Sequence, residues 1–439
     1  MTLITRKRRN AVLDRLDGSW LSQIPRGATL TDVADRPVPN TEGRALAAPP
    51  PGSADLLSGP RSRVRALPWA QSGYVRAAGL FLAVRLFSVG VLAIMAAHSN
   101  RPLLDRLRSW DGWWYLHIAE ANYTGVPHPV DISGHPFPEA PYGFFPLYPA
   151  FTELVGQLPG ISLTAAGLIV STVAGIAAAC GLYRIGRLVS GSRVGLLLAV
   201  LWAGAPMAIT ESMVMTESLF TALAVWALVG VLERNWFLTA GATVFAGLTR
   251  STASVLIAVV VVAAVIDAWR GRRRWLALTC AVVAPLGLLG YWGMVAVRTG
   301  SLTGWADVER RGWNVRPDPG IDTWRWVSRS LFSAGSAWET LVVLVTLAAV
   351  GLTVIVVAGR RVPWQLAAYA VGVVVLVVCT AGLPALKTRF LLPDFALLLP
   401  IAAGLAHRRT ATMVTVAAVF VLVGAWYSAY GLTIWKYAI

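Results

Sequence analysis

The sequence predicts an all-α polytopic membrane protein with about eleven transmembrane helices. Of its 439 residues, 56% are hydrophobic and only 14% are charged, which is far below the charged fraction of a typical soluble domain. Apolar runs that are long enough, or nearly long enough, to cross a bilayer as helices recur from about residue 77 to the C-terminus. The 19 tryptophans suit aromatic belts at the two membrane surfaces.

Residues 1–76 differ in composition from the rest of the chain. They contain the basic run RKRR and the turn-rich stretch AAPPPGSADLLSGPRSR, but no long apolar run. This composition predicts a disordered basic segment on the cytoplasmic side, followed by a transmembrane domain over 77–439. No signal peptide is expected, because the first apolar run begins far from Met1.

The predicted spans follow from the apolar runs and from the basic turns between them. They are 77–98, 161–182, 194–210, 213–232, two short helices broken near Thr249 and Arg250, 275–297, 337–358, 364–381, 389–406 and 411–430. Every turn assigned to the cytoplasm contains arginine, as the positive-inside rule requires. Two long segments, 99–160 and 298–336, are then outside, and the first is expected to contain interfacial helices.

Several classes of function are disfavoured by what the chain contains. The formal net charge of +16 does not indicate nucleic-acid binding, because Lys and Arg lie in short clusters between apolar runs, as in loops that face anionic lipid. Cys180, Cys280 and Cys379 lack the spacing of a disulfide framework or a zinc site. There is no P-loop, G-x-G-x-x-G, H-E-x-x-H or D-x-D motif, so neither a metal nor a nucleotide cofactor is expected.

Some cations fall where the topology rule does not require them. Arg250, Lys387 and Arg389 are predicted on the outside, at or within helix ends. A phosphate at the outer membrane face would be a suitable partner for them, and pairing with nearby acidic residues is the alternative. Arg85, inside the first span, is either a functional residue or one that snorkels to the cytoplasmic surface.

The stretch RSWDGWWYLHIAEANY, residues 108–123, places one carboxylate among aromatic side chains. Its apolar spacing predicts a helix in the interface plane, on which Asp111 and Tyr115 are one turn apart. Asp111 is therefore a candidate general base, and a solvated aspartate or a helix cap is the alternative.

Aromatic residues of this stretch and of the following PYGFFPLYPAF are candidates to bind or orient a substrate, since such rings suit stacking on a sugar or a lipid. The candidates are Trp110, Tyr115, His117, Phe144, Phe145 and Tyr148.

Five segments, in order, carry a resemblance to a known family. WDGWWYLHIAEANY, GFFPLYP, TESLFTALAVWALVGVLE, GLTRSTA and KTRFLLPDFALLLP resemble the PIG-V family of membrane mannosyltransferases and its bacterial relatives. The resemblance implies a GT-C-type glycosyltransferase fold and inverting transfer of a sugar, usually mannose, from a polyprenyl-phosphate donor to a glycolipid or glycan acceptor. It also implies that Asp111 is the catalytic base and that Glu217, Arg250 and Arg389 belong to the site. Glu217, at the start of the predicted span 213–232, is expected to orient an acceptor or Arg250, and an ion pair without a chemical role is the alternative.

The expected location is a bacterial plasma membrane, with the active site on its outer face. Two other classes of function remain open. A transporter or flippase of an anionic lipid or lipid-linked sugar would also use broken helices and cations, but the halves of this chain show no convincing inverted repeat. The second is a non-catalytic scaffold of a cell-envelope assembly.

Overall fold

The computed structural model of the chain describes residues 68–271, 274–333 and 335–435. The predicted disordered segment 1–76 lies outside these residues up to position 67. Its last part belongs to the first helix, which begins at Pro68 rather than at 77. A proline is tolerated in the first turn of a helix, and no further proline interrupts the chain before the apolar run begins, so the helix extends upstream of that run.

Helices dominate the described residues. They are α1 (Pro68–His98), α2 (Leu103–Leu107), α3 (Asp111–Ala121), α4 (Leu147–Gly156), α5 (Leu163–Ser190), α6 (Ser192–Ala203), α7 (Glu217–Glu233), α8 (Trp236–Gly247), α9 (Ala253–Trp269), α10 (Arg274–Val283), α11 (Leu286–Thr299), α12 (Gly304–Trp313), α13 (Ile321–Phe332), α14 (Ala337–Gly359), α15 (Trp364–Val378), α16 (Lys387–Leu391), α17 (Leu399–Ala406) and α18 (Thr410–Thr433). Two short strands are β1 (Arg316–Pro317) and β2 (Thr380–Ala381).

The prediction of an all-α polytopic membrane protein is confirmed. Among the described residues, five helical stretches are long and apolar enough to cross a membrane. They are Ser72–His98 of α1, Leu163–Ser190, Arg274–Thr299, in which α11 continues α10, Ala337–Gly359 and Thr410–Thr433. The bent pair Pro384–Leu391 and Phe395–Ala406, which contains α16 and α17, makes a sixth span if the pair is counted as one. Shorter apolar helices such as α6, α8, α9 and α15 accompany them, and the expected number of eleven spans is not confirmed.

Close helix packing builds the core around α5, α6 and α7. A Cβ added at Gly181 of α5 would lie 2.4 Å from Val225 Cγ1 of α7, and one added at Gly186 would lie 2.4 Å from the Cα of Gly195 in α6. Small residues let helix backbones approach closely within a membrane, where dispersion contacts replace the hydrophobic effect as the packing force. The core therefore depends on glycine at these crossings.

The segment 99–160, which was predicted to lie outside, packs its α3 helix against the chain that leads into α7. The backbone N–H of Val214 donates to the carbonyl of Leu107 at 2.9 Å, and a Cβ at Gly112 would lie 3.1 Å from the carbonyl oxygen of Val214. The amino-terminal ends of α3 and α7 are thus brought together, so residues distant in sequence share one location.

The segment 298–336, also predicted to lie outside, is attached to the chain that precedes α16. Strands β1 and β2 pair antiparallel, with Arg316 opposite Ala381 and Pro317 opposite Thr380. The backbone N–H of Asp318 also donates to the carbonyl of Cys379 at 2.8 Å. This ladder holds α12 beside the segment that carries Arg389.

Two helix breaks lie near predicted site residues. The break near Thr249 and Arg250 agrees with the sequence prediction, since α8 ends at Gly247 and α9 begins at Ala253. The predicted continuous span 389–406 is wrong, because α16 and the following helical segment are bent by 69°. Pro393 has no N–H to continue the helical hydrogen bonds, which accounts for the interruption.

Candidate active site

A polar cavity of about 180 Å³ lies where the segments 99–160 and 298–336 meet the two helix breaks. Its walls come from α3, the residues before α4, the break between α8 and α9, the helix α12, and α16. The charged side chains that line it are those of Asp111, Arg250, Glu309 and Arg389. Two carboxyl groups and two guanidinium groups in one small cavity form a site suited to moving a proton and holding an anion.

Asp111 is the first residue of α3, and its side chain is 27% exposed. The residue before it, Trp110, has φ 59° and ψ −121°, a backbone conformation that side-chain-bearing residues rarely adopt. A negative charge in the first turn of a helix is favourable because of the helix dipole. The turn at Trp110 thus starts the helix so that the Asp111 carboxylate faces the cavity.

A chain of ion pairs connects Asp111 to Arg250. Arg389 pairs with Asp111 and also lies 2.8 Å from Oε1 of Glu217 through its Nε. Nη1 of Arg250 lies 2.6 Å from the same Glu217 oxygen and donates to Thr216 Oγ1 at 3.1 Å. Glu217 is fully buried, so its charge is compensated by two arginines rather than by water.

The structure brings two of the three predicted phosphate-binding cations into the cavity. Arg250 and Arg389 line it, whereas the Lys387 ammonium donates to the carbonyls of Val377 at 2.7 Å and Thr380 at 3.0 Å. Lys387 and Arg389 are two residues apart on α16, and side chains at that spacing point to different sides of a helix. Lys387 therefore anchors the chain before α16, outside the cavity lining described here.

Three of the six predicted aromatic residues also line the cavity, and three do not. Tyr115, Phe144 and Phe145 line the cavity. Burial raises the pKa of the Tyr115 phenol well above its usual range, and the negative charge of Asp111 adds to the effect, so this phenol is neutral at physiological pH.

The other three predicted aromatic residues have different surroundings. Trp110 packs against a separate apolar cluster that includes Leu107 and Met213. The Nδ1 atom of His117 lies 2.8 Å from the carbonyl oxygen of Trp113. The Tyr148 hydroxyl donates to the carbonyl of Gly167 at 2.8 Å, and it is fully buried. These residues support the walls of the site rather than lining its cavity.

Glu309 is the site residue that sequence reasoning missed. It lies on α12 between Trp305 and Trp313, and all three line the cavity at intervals of four residues. Burial raises the pKa of Glu309 to about 8, with Asp111 adding to the shift and Arg250 opposing it. The repeated spacing was a signal available in the sequence, because residues four apart share one helix face.

Arg85 is placed by a buried contact away from this cavity. Its guanidinium donates to the carbonyl of Ala208 and lies 3.5 Å from the Glu211 carboxylate. Of the two interpretations of Arg85, the structure disagrees with snorkelling to the cytoplasmic surface, because its side chain is only 7% exposed and is paired inside the protein.

Within residues 68–271, 274–333 and 335–435, no group of three or more His, Cys, Asp or Glu side chains is arranged to hold a metal ion. A second cavity, an open groove of about 830 Å³, is lined by apolar residues of α4, α5, α7 and α8 and by Asn235. None of its lining residues is titratable. The smaller cavity, in contrast, is lined by two carboxyl groups and two guanidinium groups.

Part of the chain is similar to one family of glycosyltransferases. The family model for dolichyl-phosphate-mannose-protein mannosyltransferase matches residues 135–292, about a third of the chain. No curated protein matches the chain. The matched region contains Phe144, Phe145, Glu217 and Arg250, but it contains neither Asp111 nor the cavity residues of α12 and α16.

Solved structures of low sequence identity are also similar to the chain. Two are crystal structures of ArnT from Cupriavidus metallidurans. The match to the structure bound to undecaprenyl phosphate has 15% identity and a TM-score of 0.48, and it covers 81% of this chain and 75% of the ArnT chain. The match to the apo structure has 16% identity and a TM-score of 0.47, and it covers 83% of this chain and 76% of the ArnT chain. The Archaeoglobus fulgidus oligosaccharyltransferase complex with zinc and sulfate, at 14% identity, covers 81% of this chain and 53% of its own with a TM-score of 0.43. The chain is thus similar over a limited region to one mannosyltransferase family and more distantly to membrane proteins of known structure.

Proposed function

We propose that the protein is a membrane glycosyltransferase of the GT-C type. It transfers a sugar, for which the PIG-V resemblance favours mannose, from a polyprenyl-phosphate donor to a hydroxyl group of a glycolipid or glycan acceptor. The reaction inverts the configuration at the anomeric carbon. The site opens at the outer face of a bacterial plasma membrane, and the N-terminus is cytoplasmic.

The ion pair between Asp111 and Arg389 is the observation that carries this proposal. It joins a candidate base to a candidate anion-binding group within one cavity. A sugar transfer from a lipid phosphate needs both groups, because a proton must leave the acceptor hydroxyl and negative charge develops on the departing phosphate. Arg250, held by Glu217, supplies a second cation to the same cavity.

The two arginines would hold the donor phosphate. A guanidinium group presents paired donors that match the oxygens of a phosphate. Glu217 fixes both arginines from behind, since it contacts Arg250 at 2.6 Å and Arg389 at 2.8 Å. When the phosphate binds, Arg389 exchanges its contact with Asp111 for one with a phosphate oxygen.

That exchange leaves Asp111 free to act as the base. The acceptor oxygen attacks the anomeric carbon while the bond from this carbon to the phosphate oxygen breaks, and Asp111 takes the proton of the attacking hydroxyl. The phosphate departs with the bonding electrons and is stabilised by Arg250 and Arg389. Attack from the side opposite the phosphate gives inversion.

The similarity of residues 135–292 to dolichyl-phosphate-mannose-protein mannosyltransferases supports the class of reaction, and this region includes Glu217 and Arg250. The mannose preference, the inversion and the absence of a cofactor remain predictions. The expected partners are the lipid-linked donor, the acceptor and the bilayer, without nucleic acid.

Purified protein in proteoliposomes tests the proposal. With radiolabelled polyprenyl-phosphate-mannose and an acceptor lipid extract, we expect label in the acceptor and one polyprenyl phosphate released for each sugar transferred. The anomeric configuration of the product, read by NMR, is expected to be inverted. Movement of intact donor across the bilayer without bond cleavage would identify a transporter instead, and the absence of both events would favour a scaffold.

A further inference from the structure

The α12 helix presents a distinct face to the cavity. Trp305, Glu309 and Trp313 follow one another at intervals of four residues and all line it. Arg310 and Arg311 of the same helix are exposed, and they point away from this face. The helix therefore separates a charged solvent side from a cavity side that consists of two indole rings and one carboxyl group.

The two rings of this face are fixed by neighbouring aromatic residues. Trp305 stacks on Trp292, with ring centroids 5.6 Å apart, and Trp313 packs edge-on against Phe144 at 5.3 Å. A Cβ added at Gly143 would lie 2.7 Å from Cζ3 of Trp313 and 3.2 Å from Oε1 of Glu309. Glycine at this position gives the ring and the carboxyl group the room they occupy.

Glu309 differs from the other carboxyl groups of the site in its partners. Asp111 and Glu217 pair with arginines, whereas the carboxyl group of Glu309 makes no hydrogen bond or ion pair with any residue of the described part of the chain. Partial burial and the negative charge of Asp111 favour the neutral form of this carboxyl group, and the charge of Arg250 opposes them. A neutral carboxyl group both donates and accepts hydrogen bonds, as sugar hydroxyl groups do.

We infer that the Trp305–Glu309–Trp313 face of α12 recognises a sugar ring of the substrates, and that Glu309 hydrogen-bonds its hydroxyl groups and so determines which sugar is accepted. This inference rests on the proposed function, which it extends to the class of ligand bound by α12. The two sides of the cavity bind chemically different parts of the substrate. The arginines take the anionic phosphate, and rigid aromatic rings with one polar group take the neutral ring.

The test combines variants of the protein with analogues of the sugar. Glu309→Met removes the hydrogen-bonding group at similar volume, Glu309→Gln retains a donor and an acceptor, and Glu120→Met alters an exposed glutamate of α3 as the matched control. Each is assayed in proteoliposomes with polyprenyl-phosphate-mannose and with a set of donors that each lack one sugar hydroxyl.

For wild type, we expect the donor lacking the recognised hydroxyl to lose about tenfold in kcat/KM, the typical effect of one lost hydrogen bond. With the complete donor, the kcat/KM of Glu309→Met is expected to be about tenfold below that of wild type. Replacing the complete donor by the deoxy donor should lower the kcat/KM of Glu309→Met little further, because the substitution and the missing hydroxyl remove the same contact. Glu309→Gln should retain most of the rate and Glu120→Met all of it. The same pattern with deoxy acceptors instead would assign the face to the acceptor sugar.

The inference is overturned if Glu309→Met keeps wild-type kcat/KM and wild-type dependence on every hydroxyl group of both substrates. Failure of the proposed function has a different signature, in which wild type releases no polyprenyl phosphate from any donor. In that case, binding decides: millimolar methyl mannoside should raise the Tm of wild type and of Glu120→Met but not that of Glu309→Met. No difference among the three proteins would reject sugar recognition by α12.

Discussion

Asp111 and Arg389 are separated by 278 residues in the sequence and form an ion pair in the cavity. Asp111 begins α3 in the segment 99–160, and Arg389 lies in α16 at a helix break. Because Arg389 also contacts Glu217, a single guanidinium group connects the candidate base with the buried carboxylate.

Replacing Asp111 by Asn keeps the size of the side chain but removes the proton acceptor. We expect turnover to fall by on the order of 10²-fold or more, with donor affinity retained. Donor binding and single-turnover rates in proteoliposomes measure the two quantities separately. Asp105→Asn, at an exposed position of α2, is the control, and near-normal turnover of Asp111→Asn would exclude Asp111 as the base.

Arg389→Gln removes the cation expected to stabilise the departing phosphate. Turnover at saturating donor should fall by roughly tenfold or more, because the contact strengthens as charge develops in the transition state. Arg389→Lys should recover only part of the loss, since a point charge lacks the paired donors. The matched control is Arg325→Gln on the exposed side of α13, and equal losses in both variants would indicate a general charge effect.

The stability of Arg389→Gln provides a second measurement, because the variant leaves Asp111 and Glu217 with less compensating charge. We expect a lower Tm than that of wild type. Adding Asp111→Asn to the same protein removes one of these charges and should recover part of the Tm without recovering turnover. A Tm that the second substitution lowers further would contradict the coupling of the pair.

Lys387 was predicted from the sequence to bind phosphate, and its observed contacts lead to a different expectation. Lys387→Met leaves the carbonyls of Val377 and Thr380 without their donor, which should cost about 1 to 3 kcal/mol of stability. The donor KM of the folded protein should remain close to that of wild type. A large rise in KM without a fall in Tm would instead support the original phosphate-binding assignment.

The pH dependence of stability should reveal the environment of Glu309, which faces the charges of Asp111 and Arg250. Its pKa is raised to about 8 by burial, whereas an unfolded glutamate has a pKa of about 4.3. Between these values the folded protein retains a proton that the unfolded chain has lost, so this group lowers stability as pH rises. Glu309→Gln should therefore gain Tm relative to wild type from pH 5 to pH 8, whereas Glu120→Gln should show no such trend.

Cysteine labelling checks the proposed orientation of the chain. After replacement of the three native cysteines, Glu120→Cys and Leu302→Cys should react with a membrane-impermeant reagent added outside, whereas Arg270→Cys should not. All three positions are exposed in the structure. Labelling of position 270 from outside would reverse the topology and move the cavity to the opposite membrane face.

The sequence predicted those features of the fold that depend on neighbouring residues alone. Apolar runs placed most of the helices, the spacing after Trp110 predicted a helix that carries Asp111, and the interruption near Arg250 was visible from its polar residues. The span over 389–406 was predicted as continuous because its composition is apolar on both sides of Pro393. The bend there depends on tertiary packing as well as on the proline.

Pairings across the fold could not be predicted from local signals. A contact between Glu217 and Arg250 is one interpretation of the sequence, but nothing near Glu217 indicates that it also contacts Arg389, because these contacts join α7 to two distant helix breaks. Glu309 was missed for a related reason: its neighbours Arg310 and Arg311 make the stretch look like a solvated loop. Which face of α12 meets the cavity is known only once the second outside segment is positioned.

The pairing of Arg316 and Pro317 with Ala381 and Thr380 has a consequence for how the protein tolerates changes in length. The ladder joins the two ends of the segment formed by α13, α14 and α15 close to the cavity. The entropic cost of closing a loop increases only slowly with its length, so residues added at the turn between α14 and α15 should add little to the free energy of forming the ladder. We expect that a tag or a whole domain inserted at this turn leaves the spacing of α12 and α16 unchanged.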